Sequence, residues 1–365
     1  MNLSNRLSHS VNDHRNGKNG AVPIDALRDP SAPLNLVGSA LSNADFIALE
    51  ARWVNRELAQ ATFLRRVDSF TGAQLVGRKG GDYSGIAIPY FSPGSPYVRE
   101  YRLRRDHPDF EAGANGELRV KQKYLSPPGR GNMLYLPAGC DPALLRNAAL
   151  PLILTEGEFK TLALWRLATT NTMDGPRFLP VGIAGVFNWR GTIAKATGPD
   201  GQRLNVKGPI ADLDWITWKD RKVTIAFDAD AGTKEQVRYA RAELAQHLRR
   251  QGSLVGFYEW EIAHGKGVDD HLAAVGPDVV LGEISHVSFA SFEWRNELIR
   301  SKPTAADRQG HVYPVLANAI TALRYAPEWK GVLAFNQFDL MPVAVRATPW
   351  EDFPMGVPGP TTKTA

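Results

Sequence analysis

The segment Leu152-Ile153-Leu154-Thr155-Glu156-Gly157-Glu158 decides the fold class, because it is typical of a buried strand that ends in a turn rich in carboxylates. A second apolar strand, Val223–Phe227, ends in the same way, in Asp228-Ala229-Asp230. Ligands of open α/β sheets bind at the carboxyl ends of the strands. Carboxylates gathered there predict a divalent-cation site, since Mg²⁺ takes oxygen ligands and is commonly held by one or two carboxylates plus substrate phosphates.

Strands and helices alternate from about Pro151 onward, which predicts a mostly parallel sheet. Predicted strands cover residues 152–155, 179–186, 222–227 and 254–260, and predicted helices cover 158–169 and 233–251, with a short helix from Asp269. The fold class is therefore predicted to be α/β, with a four-stranded, mostly parallel sheet flanked by helices.

Upstream of this region the pattern predicts a helix from Ser42 to Arg66 and then a small β-rich unit. Its predicted strands cover residues 86–91, 98–103, 121–125 and 133–136. Between Tyr97 and Arg130 there are eight basic and five acidic residues. This unit is therefore predicted to be basic, which favours an anionic partner.

Composition excludes several classes of protein. The chain has 365 residues, a net charge of +5 and one cysteine, Cys140, so neither a disulfide framework nor a cysteine-based zinc module is expected. No apolar run reaches the 18 residues of a membrane span, and the polar N-terminus has no secretory signature, so we expect no membrane partner and a cytoplasmic location.

Each acidic turn also has a plain structural interpretation. Glu156 and Glu158 could simply suit the start of a helix. Asp228 and Asp230 are two residues apart, so in an extended segment their side chains would lie on the same face. The structural alternative is an aspartate-rich turn that caps the helix from Thr233. Asp269 or Asp270 could be an N-cap.

In combination, the three acidic turns and their strands resemble the Toprim domain of bacterial-type DNA primases, topoisomerases and some nucleases, over roughly residues 148–280. The resemblance implies a Rossmann-like Toprim fold, catalytic roles for Glu156, Asp228 and Asp230, and Mg²⁺ or Mn²⁺ as cofactor. It implies metal ligation by the same three residues and by the later acidic turn, Asp269 and Asp270.

The β-rich unit resembles the basic subdomain that precedes Toprim in these primases, through Gly85–Tyr90, Arg102–Arg105, Lys123-Tyr124-Leu125 and Leu134-Tyr135. Ser126 stands where that family usually has asparagine. The resemblance, together with the first turn of the helix after Glu156, predicts nucleic-acid or nucleotide contacts for Arg102, Arg104, Arg105, Lys121, Lys123, Tyr124 and Lys160.

Residues 310–350 resemble the segment that leads into helicases of the virulence-associated protein E family, which occur in mobile-element replication proteins. The sequence contains no phosphate-loop motif. The expected partners are therefore single-stranded DNA, NTPs and a helicase or ATPase supplied by another chain or by a further part of this one.

The function predicted from the sequence is that of a mobile-element DNA primase, with metal-dependent nucleotidyl transfer on a single-stranded DNA template. Two alternatives remain, a Toprim nuclease and a catalytically silent DNA-binding module. The predicted organisation is a tail (1–40), a helical segment with the basic subdomain (41–145), the Toprim domain (146–284), the helicase lead-in (285–353) and a second tail (354–365). The insertion at 188–220, with Trp189, Trp215 and Trp218, has no predicted role.

Overall fold

The computed structural model describes residues 35–113, 116–197 and 202–290, together with an antiparallel strand pair, 333–336 with 341–344. Most of the predicted N-terminal tail, all of the C-terminal tail and most of the predicted helicase lead-in therefore lie outside the described residues. Among the described helices, none combines the length and the apolar composition that crossing a bilayer requires.

The predicted helix from Ser42 to Arg66 is wrong, because the chain breaks there into two short helices, α1 (Asn43–Glu50) and α2 (Arg56–Ala61). Trp53 has a positive φ of 61° between them, which no α-helix accommodates. Each helix has its own side-chain cap. The Ser42 hydroxyl accepts from the Asp45 backbone amide, and the side-chain oxygen of Asn55 accepts from the Leu58 backbone amide.

A four-stranded antiparallel sheet follows, built from β1 (Arg65–Val67), β2 (Gly85–Phe91), β3 (Val98–Arg105) and β6 (Tyr124–Leu125) in the order β1-β2-β3-β6. Helix α3 (Ser69–Leu75) connects β1 and β2. The strand predicted for residues 121–125 is divided at Gln122, where φ is 55°. Its first residue belongs to a separate hairpin formed by β4 (Asp109–Ala112) and β5 (Leu118–Lys121).

The larger sheet has five strands rather than the predicted four. Strands β8 (Leu152–Glu156), β9 (Leu179–Ile183), β12 (Lys222–Ala226) and β13 (Leu254–Phe257) are parallel, in the order β13-β12-β8-β9. The two-residue strand β7 (Leu134–Tyr135) adds an antiparallel edge beside β9. From the sequence, this strand was predicted to belong to the upstream unit, because two residues show too little periodicity to indicate which strand they pair with.

Helices α4 (Pro142–Arg146), α5 (Glu158–Thr169), α6 (Glu235–Arg250), α7 (Val268–Val275) and α8 (Pro277–Ser285) complete the α/β unit. The central strand β8 is hydrophobic on both faces, and Leu152, Ile153 and Leu154 are all buried, as expected for a strand covered by helices on both sides. Burial of each such side chain contributes about 1.5–3 kcal/mol. The sheet thereby fixes the positions at which its strands end.

The insertion between Asn188 and Asp220 forms a two-stranded ribbon, β10 (Arg190–Thr197) and β11 (Arg203–Pro209), followed by a 3-10 turn at Ala211–Trp215. Trp189 and Trp218 are buried in the main core, and Trp215 packs against it. The tryptophans therefore fasten the ends of the insertion to the sheet.

Candidate functional site

The first acidic turn lies at the carboxyl end of β8. Glu156 ends the strand, and Gly157 turns the chain into α5 with a φ of 98°, a conformation that favours glycine. The Gly157 amide donates to the carbonyl of Ile183 on β9, at 2.8 Å. Burial raises the pKa of the Glu156 carboxyl; the Lys160 ammonium lowers it and the Asp228 carboxylate raises it further. The structure thus places Glu156 within electrostatic range of Asp228.

Glu158 starts α5, as predicted, but it is more than a solvated helix-start acid. Its side chain is buried and accepts hydrogen bonds from the Tyr90 hydroxyl and from Arg102 Nη1, the latter at 2.7 Å. Arg102 Nη2 donates to the carbonyl of Ala184 at 3.2 Å, and its guanidinium lies 5.0 Å from the centre of the Tyr124 ring. The sheet strand β3 and helix α5 together hold the guanidinium in one orientation.

The second acidic turn follows β12. Asp228 accepts from the Lys160 ammonium, and Lys266 Nζ lies 3.5 Å from its second oxygen. Burial alone would lower the pKa of Lys160, but Asp228 and Glu156 outweigh it and raise that pKa. The ion pair therefore keeps Lys160 charged beside the first two acidic turns.

Asp230 departs from the predicted extended geometry, because residues Ala229–Gly232 form a 3-10 turn. Its carboxylate is paired with Lys234 at 2.6 Å, and Lys266 lies 3.8 Å away. Asp228 and Asp230 therefore share Lys266 as a neighbour, but each has its own closer lysine. Helix α6 itself begins without a side-chain cap from either aspartate, so the interpretation of this turn as a plain helix cap is wrong.

The third acidic turn starts α7. Neither aspartate is the N-cap, which is Gly267; Asp270 instead lies in the first turn and accepts from the Gly267 amide at 3.1 Å. Asp269 is fully buried, with Oδ2 2.6 Å from Arg52 Nη1 and Oδ1 without a hydrogen-bond partner among the described residues. Burial raises the pKa of Asp269, and the Arg52 guanidinium opposes this. His271, in the same helix, is buried against Glu283.

The ends of these elements surround one cleft of about 310 Å³. Its charged wall contains four acidic side chains, Glu156, Glu158, Asp228 and Asp270. It also contains five basic ones, Arg52, Arg102, Lys123, Lys160 and Lys266. Burial lowers the pKa of Lys123, and the nearby Arg104 and Arg52 guanidiniums lower it further. Acidic and basic side chains alternate around the cleft and are largely paired with one another, Lys160 with Asp228 and Arg102 with Glu158.

Four of the seven residues predicted to contact nucleic acid or nucleotide line this cleft, namely Arg102, Lys123, Tyr124 and Lys160. The other three do not. Arg104 lies 5.8 Å from the centre of the Phe159 ring, Arg105 is buried against Asp109, and Lys121 pairs with Glu111 at 2.9 Å on an exposed hairpin.

Arg52, which lines the cleft, and Tyr90, which contacts the cleft residue Glu158, were not predicted from the sequence. Arg52 follows α1 and Tyr90 lies on β2, far in sequence from the acidic turns that they contact. Only the long-range packing of the N-terminal units against α5 and α7 brings them to the cleft, and no local sequence signal indicates it.

The carboxylates match the donor chemistry of a hard cation. Within the described ranges no group of three or more histidine, cysteine, aspartate or glutamate side chains is arranged to hold a metal ion. Glu156 and Asp228 nevertheless line the same cleft, and Mg²⁺ is commonly held by one or two carboxylates with phosphates as further ligands. A Mg²⁺ ion bound there together with a phosphate would have to replace Lys160 as the partner of Asp228, and Asp230 and Asp269 are likewise occupied by Lys234 and Arg52.

Comparisons with known proteins give three results. A family model described as a domain of unknown function (DUF3854) matches residues 142–279. The zinc-binding and RNA polymerase domains of the Aquifex aeolicus primase align at 15% identity over 79% of this chain and 68% of that chain, with a TM-score of 0.45. The catalytic domain of a DnaG primase bound to ssDNA aligns at 13% identity over 79% of this chain and 89% of that one, with a TM-score of 0.44. No curated protein matches the chain.

Proposed function

We propose that this chain is a primase-like Toprim protein of mobile-element replication, which transfers nucleotides to a growing primer on a single-stranded DNA template. One observation carries the proposal. Two carboxylates from the ends of neighbouring parallel strands, Glu156 and Asp228, line the same cleft as several arginine and lysine side chains. Nucleotidyl transfer requires this combination, because both the triphosphate and the template are anions and the reacting phosphate is stabilised by positive charge.

In this mechanism, Asp228 and Glu156 hold the metal. Mg²⁺, when bound, neutralises the charge of the nucleotide phosphates. Arg102, fixed by Glu158 and the Ala184 carbonyl, and Arg52 bind phosphate oxygens and orient them. Lys123 contacts the template backbone, which positions the strand without reading its sequence.

In place of metal ligation, Glu156 can act as the proton acceptor. Its pKa is raised by burial, which brings its basicity closer to neutral pH, where a general base is most effective. Its carboxylate accepts the proton of the attacking 3′-hydroxyl.

The test is primer synthesis with single-stranded DNA, labelled NTPs and Mg²⁺. We expect Asp228→Asn and Glu156→Gln each to reduce the rate by about 10²-fold or more, the range in which a positioned acid–base group contributes. Asp174→Asn is the matched control, because Asp174 lies in an exposed loop and should leave synthesis unchanged. Synthesis by the Asp228→Asn variant at the rate of the wild type would refute the assignment.

The lysine contacts favour one second candidate, a DNA-binding module without catalysis. Lys160 and Lys266 surround Asp228, and Lys234 binds Asp230, so the lysines could neutralise the acids permanently. This candidate predicts that single-stranded DNA binds equally well with and without EDTA and that no product forms with Mg²⁺ or Mn²⁺. The primer-synthesis assay and a parallel binding assay separate the two.

A further inference from the structure

The β10–β11 ribbon, residues 190–197 and 203–209, projects from the core with nearly every side chain in solvent. All residues from Thr192 to Thr197 and from Arg203 to Lys207 are exposed. The two strands are antiparallel, with one irregularity in register between Thr192 and Ala194. An isolated two-stranded ribbon gains little stability of its own, so its projection into solvent calls for another explanation.

The two faces of the ribbon differ in chemistry. Directly opposed residues of antiparallel strands share a face and alternate along each strand. The pairs Lys195–Asn205, Thr197–Arg203 and Thr192–Lys207 therefore form a polar face that contains three cations. The pairs Ala194–Val206 and Ala196–Leu204 form the opposite, apolar face. No acidic side chain occurs among the described residues of either strand.

The base of the ribbon is held rigidly. The ribbon leaves the core between the buried residues Trp189 and Ile210, which are joined by a backbone hydrogen bond of 3.0 Å. Arg190 pairs with Glu243 at 2.8 Å, and the Arg190 carbonyl accepts from the Asn132 side chain at 2.7 Å. The ribbon therefore keeps a fixed origin on the sheet.

That origin is close to the cleft along the chain. Ala184 lines the cleft and accepts from Arg102, and the short segment after it leads into Arg190. The ribbon thus begins six residues after a cleft residue, and its base contacts Asn132, which precedes the edge strand β7 beside β9.

A second exposed hairpin in the same molecule differs in how its cations are paired. In the β4–β5 hairpin, Lys121 pairs with Glu111 and Arg119 with Glu117, so its cations are neutralised within the hairpin. On the β10–β11 ribbon, Lys195 and Arg203 form no ion pair with any described residue, and the Lys207 ammonium donates only to the Thr192 hydroxyl at 2.8 Å. The cations of the ribbon are therefore not neutralised by any described residue and remain available to an anionic partner.

We propose that the polar face of the β10–β11 ribbon binds the sugar–phosphate backbone of single-stranded DNA where the strand passes the rim of the cleft. The proposal rests on the proposed function for the identity of the strand. The ribbon has no aromatic side chain among its described residues on which bases could stack. The contact is therefore made to phosphates through Lys195, Arg203 and Lys207, independently of sequence, and it weakens as salt rises.

The experiment measures the affinity of the whole chain for fluorescently labelled single-stranded DNA by anisotropy, over a series of salt concentrations, in EDTA and without nucleotides. The test variant is Lys195→Gln/Arg203→Gln/Lys207→Gln. The matched control, Arg146→Gln/Lys219→Gln/Lys222→Gln, removes the same charge from exposed residues near the amino ends of the strands, on the opposite edge of the sheet. Circular dichroism and thermal melting confirm that both variants are folded.

Each phosphate contact to a single strand contributes about 0.7 to the slope of log affinity against log salt. Loss of three contacts is expected to lower the slope by about 2 and to weaken binding roughly 50-fold at about 0.15 M salt, with a much smaller change in the control. An unchanged slope in the test variant, or an equal change in the control, overturns the inference. So does a wild-type chain that does not bind single-stranded DNA.

The outcome is separable from that of the proposed catalysis. Binding that depends on the ribbon, in a chain that synthesises no primer, supports this inference and refutes nucleotidyl transfer. Primer synthesis that depends on Asp228, in a chain whose DNA affinity is unchanged by the ribbon substitutions, supports nucleotidyl transfer and refutes this inference. A third variant, Leu204→Ser/Val206→Ser, tests whether the apolar face of the ribbon mediates self-association. If this variant changes the oligomeric state, while the variant at Lys195, Arg203 and Lys207 binds DNA normally, the ribbon serves self-association and the inference is overturned.

Discussion

The buried ion pair between Glu158 and Arg102 offers the sharpest test of how the cleft is held together. The Glu158 side chain is 1% exposed and that of Arg102 is 15% exposed. Burial would lower the pKa of Arg102, yet the Glu158 carboxylate more than compensates and raises it above the usual value. Glu158 is thus the main charge that compensates the buried guanidinium, and the perturbation to make is the removal of each partner in turn.

The cost follows from what each truncation leaves behind. Glu158→Ala leaves a guanidinium that reaches water on the cleft side, and a Tyr90 hydroxyl without its acceptor. Removal of one partner from a buried pair costs about 3–5 kcal/mol, so we expect about 3 kcal/mol here. Arg102→Ala leaves a carboxylate with almost no access to water, and the cost should lie nearer to 5 kcal/mol.

The assay is urea unfolding of the wild type, the two single variants and the double variant, followed by circular dichroism. We expect the double variant to lose about 2–3 kcal/mol less than the two single losses together, because residues in direct contact couple by up to that amount. Glu50→Ala is the control, since Glu50 and Arg166 form an exposed pair and such pairs contribute about 1 kcal/mol or less. A coupling energy between Glu158 and Arg102 below about 0.5 kcal/mol would refute the reasoning.

The remaining predictions concern Glu156 and two glycines, Gly182 and Gly282. The pKa of Glu156 is raised in the folded chain. The ionised carboxylate therefore destabilises the fold at pH values above its folded pKa, and this destabilisation disappears below its unfolded pKa. Glu156→Gln should therefore raise the melting temperature at about pH 7 but not at about pH 3, while exposed Glu261→Gln shows no such dependence; an equal increase at both pH values would contradict this. Gly182→Ala should destabilise by about 1–3 kcal/mol in urea unfolding, because its Cβ would lie 2.4 Å from Thr161 Oγ1 and 3.1 Å from Tyr135 Cβ. Gly282→Ala, with open space inside α8, should instead stabilise by about 0.5–1 kcal/mol, and a loss of stability there would contradict the packing argument.

The strand ends of the α/β unit were predictable because their signals are local. Strand β8 is a short apolar run followed by Glu-Gly-Glu, and helix α5 was predicted with the bounds that the structure shows, Glu158–Thr169. The same holds for Asp228 after β12. Hydrophobic runs and glycine turns are read within a few residues, and a parallel sheet then brings its carboxyl ends to one edge.

The remaining parts of the site depend on contacts that no window of sequence contains. Arg52 meets Asp269 across 217 residues, and β7 pairs with β9 through two residues only. Asp230 was misplaced because a 3-10 turn was taken for an extended segment. The tryptophans of the insertion gave no sign of burial, since an aromatic residue near a turn has no period to follow.

The acidic cluster is expensive for the fold, and this cost itself argues for a functional site. Burial raises the pKa values of both Glu156 and Asp269, and cations from three separate segments, Arg52, Lys160 and Lys266, are needed to offset the charges. Replacing a buried ion pair by apolar side chains is often neutral or stabilising, so stability alone does not require such a cluster. Local rules are broken mostly where function requires it. Buried acids balanced by cations from distant segments at one cleft are therefore the feature of this fold that stability does not explain.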